Sequence, residues 1–127
     1  GGKYVVPTLL EGELKQSRFI EQAMVLGESQ KMPAALIPVN FDFVNEWAKR
    51  HDHEIKDVTS DVKLMFRIQK EIDFYNRGFG NWEQVKKFEI TPDEWTIEDG
   101  HLTPTMKMRR KIIKEKYKHL FDKIYNS

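Results

Sequence analysis

Two short apolar runs, Ala23-Met24-Val25-Leu26 and Ala34-Ala35-Leu36-Ile37-Pro38-Val39, do most to limit the folds open to this chain. Runs of this length bounded by turn residues read as strands. The polar Gly27-Glu28-Ser29-Gln30 cluster between them turns the chain. Together they predict a β-hairpin or an adjacent strand pair, with Pro38 and Asn40 closing the second run.

Around that pair, helical and extended signals alternate without a βαβ rhythm. Pro7-Thr8 followed by Leu9, Leu10, Leu14 and Phe19 predicts an amphipathic helix of about three turns, with proline in the first turn where its missing N–H costs nothing. Asp42 to Arg50 predicts a helix with Phe43, Val44 and Trp47 on one side. Ser60 is the expected cap of the next helix, whose stripe is Met65, Ile68, Ile72 and Tyr75 and which stops at Gly78. Val85 to Ile90 reads as a third strand with Phe88 and Ile90 on one face. After a turn at Thr91-Pro92-Asp93, Asp99-Gly100 is a hairpin-type dipeptide between Trp95-Thr96-Ile97 and His101-Leu102. One helix is expected from about Met108 to Tyr125, burying Ile113, Tyr117, Leu120 and Ile124. The sum is an α+β fold: a small mixed or antiparallel sheet of about three strands plus a short hairpin, packed with helices.

At 127 residues the chain is expected to be one domain, residues 1–127. With no cysteine it has no disulfide, thiolate metal site or cysteine nucleophile. No apolar run approaches ~18 residues and no signal-peptide pattern opens the chain, which fits a cytoplasmic setting. The chain starts at Gly1-Gly2 rather than methionine, and an excised piece of a longer protein is expected, a partial cloning remnant at Gly-Gly being the alternative.

The net charge of +1 conceals a division. Residues 101–127 hold eight basic and two acidic side chains, +6, while the first 100 hold 13 basic and 18 acidic, −5. An acidic body with a basic tail suggests that the tail meets an anion.

Most other constellations have a plain structural reading. His51-Asp52-His53-Glu54 places its histidines two apart, not at the helical ligand spacing of three or four, and is expected to be a solvated interhelical loop with no metal. Neither a Gly-x-Ser-x-Gly elbow nor a Walker-type loop is present, and Gly78-Phe79-Gly80 reads as a helix stop and turn. Phe66, Phe74, Tyr75, Phe79 and Trp82 are expected in the core. The basic tail is different. Thr103 and Thr105 offer hydroxyl donors, a helix N-terminus adds N–H groups, and Lys107 stands at the loop–helix junction outside the apolar stripe. A solvated basic face is the bland alternative. A basic-helix binding module for nucleic acid or an anionic membrane is another, although the acidic first 100 residues argue against nucleic acid.

The order of segments resembles one family. Gly1-Gly2-Lys3-Tyr4-Val5-Val6-Pro7, Glu11 and Phe19-Ile20-Glu21-Gln22-Ala23-Met24-Val25 resemble the start of the mobile C-terminal lid domain of adenylate-forming acyl-CoA synthetases. Phe79 to Phe88 and Glu94 to Gly100 are similar to the long-chain fatty acid branch, and Leu102-Thr103-Pro104-Thr105-Met106-Lys107 resembles that branch's C-terminal lysine motif. The family at large writes Pro-Lys-Thr-x-Ser-Gly-Lys there, so Thr105-Met106 stand in place of Ser-Gly.

The resemblance implies a part of a long-chain fatty acid–CoA ligase that is inactive alone. It would work with an N-terminal adenylation domain of the same chain, whose core and hinge lie upstream, on fatty acid, ATP with Mg2+, and coenzyme A. By this resemblance Lys107 is the adenylation lysine, with Thr103, Thr105 and Arg110 supporting the phosphate side. Gly2, Lys3 and Tyr4 belong to the loop that serves thioester formation, and Glu11 closes that motif, with a structural role in its helix at least as fitting as a functional one. No nucleic-acid partner is implied, and a peripheral membrane contact of the whole enzyme is compatible with it.

Overall fold

A computed structural model describes residues 6–27 and 32–126. The elements run in the order α1 (Pro7–Leu14), β1 (Met24–Leu26), β2 (Ala34–Ile37), α2 (Phe41–Arg50), α3 (Val62–Asn76), a short 3-10 helix (Asn81–Glu83), β3 (Lys87–Ile90), α4 (Arg110–Lys116) and α5 (Lys118–Asn126). Among the described residues no helix is long and apolar enough to cross a membrane.

The sheet has the order β1-β2-β3. β1 pairs antiparallel with β2, Val25 opposite Ala35, and β2 pairs parallel with β3, Ala35 opposite Phe88. Successive strand side chains point to opposite faces, and both faces are covered. Val25, Ala35, Ile37 and Ile90 join a core with α1, α2 and α3. Met24 and Leu36 join a second core with Trp95, Leu102, Ile113, Tyr117 and Phe121. All four residues of β2 are buried, so its sequence is a continuous apolar run rather than an alternation.

Local chemistry shifts several element boundaries from those expected. α1 is about two turns long, because the chain leaves the helix at Lys15 and bends at the buried Ser17, whose hydroxyl donates to Glu71. Phe19 therefore enters the core from the turn, edge-on to Phe43 and Trp47, while Leu9 is exposed. Asp61, not Ser60, caps α3, since its carboxylate accepts the Leu64 N–H at 2.9 Å and also engages His53. The inward line of α3 is Leu64, Ile68, Ile72 and Asn76.

That phase explains why the expected aromatic core is only partly one. Phe66 and Phe74 each follow an inward residue by two positions, about 200° around the helix, and are 68% and 52% exposed. Trp82 is 49% exposed, and only Tyr75 and Phe79 pack against the core. The exposed rings carry cations instead, with Arg77 4.0 Å from the Phe74 centroid and Lys70 6.0 Å from that of Phe66. His51-Asp52-His53-Glu54 is an interhelical loop, although His53 is half-buried by its Asp61 partner.

The final helix is broken at Tyr117, where φ −108° and ψ 25° end α4. The Tyr117 hydroxyl donates to Asp93 at 3.0 Å, and the break lets α5 bury Phe121 and Ile124, with Leu120 half-buried. Asp99-Gly100 forms a tight turn, with Gly100 at φ +83° and the His101 N–H bonded to Thr96 O. Trp95-Thr96-Ile97 and His101-Leu102 do not pair as the expected hairpin strands, because the antiparallel bridge that follows joins Leu102 to Met108.

Candidate functional site

The segment from His101 to Arg109 is a small hairpin. The Arg109 N–H donates to His101 O at 2.8 Å, Leu102 bridges Met108, and the Thr103 N–H donates to Lys107 O at 2.8 Å. Pro104, Thr105 and Met106 form its tip. Met106 N–H closes the turn onto Thr103 O at 2.8 Å, and Met106 itself sits at φ +67°. A three-residue loop ending in a left-handed residue is a regular hairpin connection, and proline suits its first position.

The tip is also tied from within. Thr103 Oγ1 accepts the Lys107 N–H and lies 3.1 Å from Thr105 Oγ1. Thr103 thus spends its hydroxyl largely on the loop, while Thr105 is exposed. Lys107 is exposed at the foot of the tip, three residues before α4 begins, so it stands on hairpin backbone and not on a helix N-terminus.

Lys107 shares a cleft of 450 Å3 with α1, lined also by Thr8, Gly12, Lys15, Gln22 and Arg110. Glu11 closes its floor. It is 4% exposed and accepts from both terminal nitrogens of Arg110, Nη1 at 2.8 Å, and from the Val25 N–H at 2.7 Å. The Glu11 hydrogen bonds hold the Arg110 guanidinium above its ordinary pKa. One carboxylate therefore fastens α1 to α4 and to the open edge of β1. Arg110 is thereby committed to Glu11 rather than left free at the cleft mouth. Lys15 is the cation that sequence reasoning passed over, because nothing in its neighbourhood distinguishes it from an ordinary solvated lysine.

Gly2, Lys3 and Tyr4 lie outside the described residues. Among the described residues no three His, Asp or Glu side chains converge as metal ligands. A larger groove of 830 Å3, floored by Phe19, Phe43 and Trp47 and rimmed by Lys63, Arg67 and Lys70, lies between α2 and α3 on the other side of the sheet from the hairpin.

Below the hairpin is a polar cluster that sequence reasoning missed. His101 is fully buried; its Nδ1 faces the Thr96 N–H at 3.2 Å and its Nε2 faces Lys116 Nζ at 2.9 Å. The ring stacks on Tyr117, with 6.2 Å between centroids and 23° between planes. Lys116 also lies 3.5 Å from Asp93, and burial pushes the Tyr117 hydroxyl up to about 12. Burial, seconded by Lys116, pulls the His101 pKa below 6.5. Its signal in the sequence is slight: one histidine between the turn glycine and an apolar residue.

Comparison with known proteins agrees with this architecture. The family described as "AMP-binding enzyme C-terminal domain" matches residues 1–127. The long-chain-fatty-acid–CoA ligase FadD15 of Mycobacterium tuberculosis is 33% identical over 130 residues, spanning 99% of this chain and 22% of that protein. The human long-chain-fatty-acid–CoA ligase 1 is 28% identical over 136 residues, 99% of this chain and 19% of that one. The chain thus spans about a fifth of the length of these relatives. In fold it resembles the adenylation domain of a carboxylate reductase from Mycobacterium chelonae, with TM-score 0.80, 22% identity and coverage of 99% of this chain and 18% of that one. A second is the A domain of the Segniliparus rugosus carboxylic acid reductase, in complex with AMP and a co-purified carboxylic acid, with TM-score 0.76, 23% identity and coverage of 98% and 18%. This chain belongs to the AMP-binding enzyme C-terminal domain family.

Proposed function

We propose that this chain is the C-terminal domain of a long-chain fatty acid–CoA ligase, and that Lys107 serves its adenylation step. The observation that supports this most is the placement of Lys107: exposed, on a closed hairpin, at the mouth of the cleft shared with α1. In adenylation a carboxylate oxygen attacks the α-phosphorus of ATP, and the bond to pyrophosphate breaks. Negative charge gathers between carboxylate, α-phosphate and leaving group. An ammonium on a flexible stem, carried by a backbone that does not reorganise, offsets that charge and aligns the reactants.

Thr105 is open at the tip, so in this proposal it meets the phosphate side directly. Thr103 acts by shaping the loop, and Arg110 acts through its field and its grip on Glu11. Gly2, Lys3 and Tyr4 would serve thioester formation with coenzyme A, and the domain would turn between the two half-reactions. The N-terminal adenylation domain of the same chain would supply the ATP, Mg2+ and acyl sites. Against a general anion-binding role, four of the eight cations of residues 101–127 have acidic partners: Arg110 with Glu11, Lys116 with Asp93, Lys118 with Asp122 and Lys123 with Glu89.

The test is a Lys107→Ala substitution in the full-length enzyme. Pyrophosphate exchange dependent on fatty acid should fall by about two orders of magnitude, the scale of a lost transition-state donor. Conversion of supplied acyl-adenylate to acyl-CoA should change little. Unaltered exchange overturns the proposal.

A further inference from the structure

We infer that His101 is a positioning residue for Lys107, its buried imidazole pinning the base of the hairpin that carries the lysine; the inference rests on the adenylation role proposed for Lys107. The hairpin's own ties are two backbone hydrogen bonds, one bridge, the turn at its tip and the Thr103 hydroxyl contacts to Lys107 N–H and Thr105, all of them above its base except the Arg109 N–H bond. Its base is where it joins the body. There the His101 carbonyl accepts the Arg109 N–H at 2.8 Å, while its side chain lies among Thr96, Lys116 and Tyr117. One residue thus holds the second strand of the hairpin through its carbonyl, the preceding turn through its own N–H to Thr96 O at 3.0 Å, and α4 through its ring. Lys107 lies two residues before Arg109, so a displaced base is a displaced ammonium.

The ring can do this only while uncharged. Both of its nitrogens face donors, the Thr96 N–H and the Lys116 ammonium. A neutral imidazole has one lone pair to offer them, which the ammonium takes with greater strength, and an imidazolium has none. Protonation would also set two cations 2.9 Å apart. Facing the ring are Lys116 from α4, Tyr117 at its end, Asp93 from the loop after β3 and Asp99 from the turn; the two carboxylates oppose the effects of burial and Lys116 without reversing them. Direct contact with substrate is excluded by its complete burial.

The test compares His101→Phe and His101→Gln in the full-length enzyme, beside Lys107→Ala. His101→Phe keeps a planar ring and loses the acceptor nitrogen, so pyrophosphate exchange should fall ten-fold or more, in kcat rather than in KM for ATP. Thioester formation from supplied adenylate should stay within two-fold. His101→Gln restores a neutral acceptor and should recover most of the exchange, and the acidic limb expected of the parent enzyme as pH falls below 6.5 should be absent from it. Wild-type exchange rates in a folded His101→Phe enzyme, or an unchanged acidic limb in His101→Gln, overturn the inference. A further measurement needs no variant. In the 127-residue chain, NMR-detected exchange of the Arg109 and Lys107 amide protons, each corrected for intrinsic pH dependence, should accelerate as the His101 ring takes up a proton. Protection that is constant across that titration overturns the positioning role. If Lys107→Ala leaves exchange intact, the adenylation proposal fails, and the amide measurement still decides whether His101 holds the hairpin.

Discussion

Met106 holds the tip of the lysine hairpin in a backbone region that L-residues avoid. At φ +67° and 56% exposed, it accepts a left-handed conformation with little packing in return. That conformation costs a non-glycine residue about 1–2 kcal/mol, and it falls where the family pattern has glycine. The chain-entropy penalty of glycine in the unfolded state cancels part of the gain. Met106→Gly is therefore expected to raise stability by about 0.5–1 kcal/mol, read from urea unfolding midpoints at constant slope. A destabilised Met106→Gly would mean that the Met106 side chain contributes contacts its exposure does not suggest. Methionine carries no turn signal, so the tip was not legible as a hairpin until backbone angles were known. The exposure of Lys107 was legible, because it lies outside the apolar stripe, whereas its proposed role was carried by the family resemblance and not by its spacing. Glu11 was legible as a helix residue but not as the carboxylate that receives Arg110, since 99 residues separate the two.

At the scale of elements, α3 shows how far periodicity reaches. The stripe at Ile68 and Ile72 was correct, and its neighbours were assigned one position off: Leu64 and Asn76 point inward, whereas Met65 is 36% exposed. Two apolar stripes run along this helix, and spacing alone does not say which faces the sheet. Asn76 resolves it, because its amide pairs with both the N–H and the carbonyl of Val85 at 3.0 Å, and so docks the end of α3 beside the start of β3. The two stripes should differ sharply in energetic weight. Ile68→Ala empties a fully buried site and should cost about 2–5 kcal/mol. Phe66→Ala, on the outward side, should stay within about 0.5 kcal/mol. Chemical denaturation of the two variants checks this, and comparable losses would contradict the observed phase of α3. The break at Tyr117 escaped for a related reason. Ile113, Tyr117, Leu120 and Ile124 keep helical spacing straight through it, and only the contacts of Tyr117 with Asp93 and His101 reveal it.

At the scale of the whole molecule, the sheet separates two cores of different character. The layer of α1, α2 and α3 is held by aliphatic and aromatic packing around Val44, Ile68 and Ile72. The layer under the hairpin buries His101 and Tyr117 among apolar residues, and so couples this half of the protein to proton uptake. A histidine whose pKa is lowered in the folded state takes up its proton more readily when unfolded. Its contribution to stability is complete above the unfolded value of 6.5 and is lost as pH falls from there toward the lower folded value. One proton is involved, so by pH 5.5 the loss attributable to His101 is at most about 1.4 kcal/mol. The measurement is the difference in unfolding free energy between the wild-type chain and His101→Gln, followed from pH 7.5 to 5.5. The wild type should lose stability relative to the variant below pH 6.5, and the difference should be flat above pH 7. A flat difference throughout would mean that the buried ring takes its proton as easily folded as unfolded, which two facing donors make unfavourable. If stability is lost, the amide protons of Thr96, Arg109 and Lys107 should lose protection before those of Ile68 and Ile72, because the proton enters on the hairpin side of the sheet.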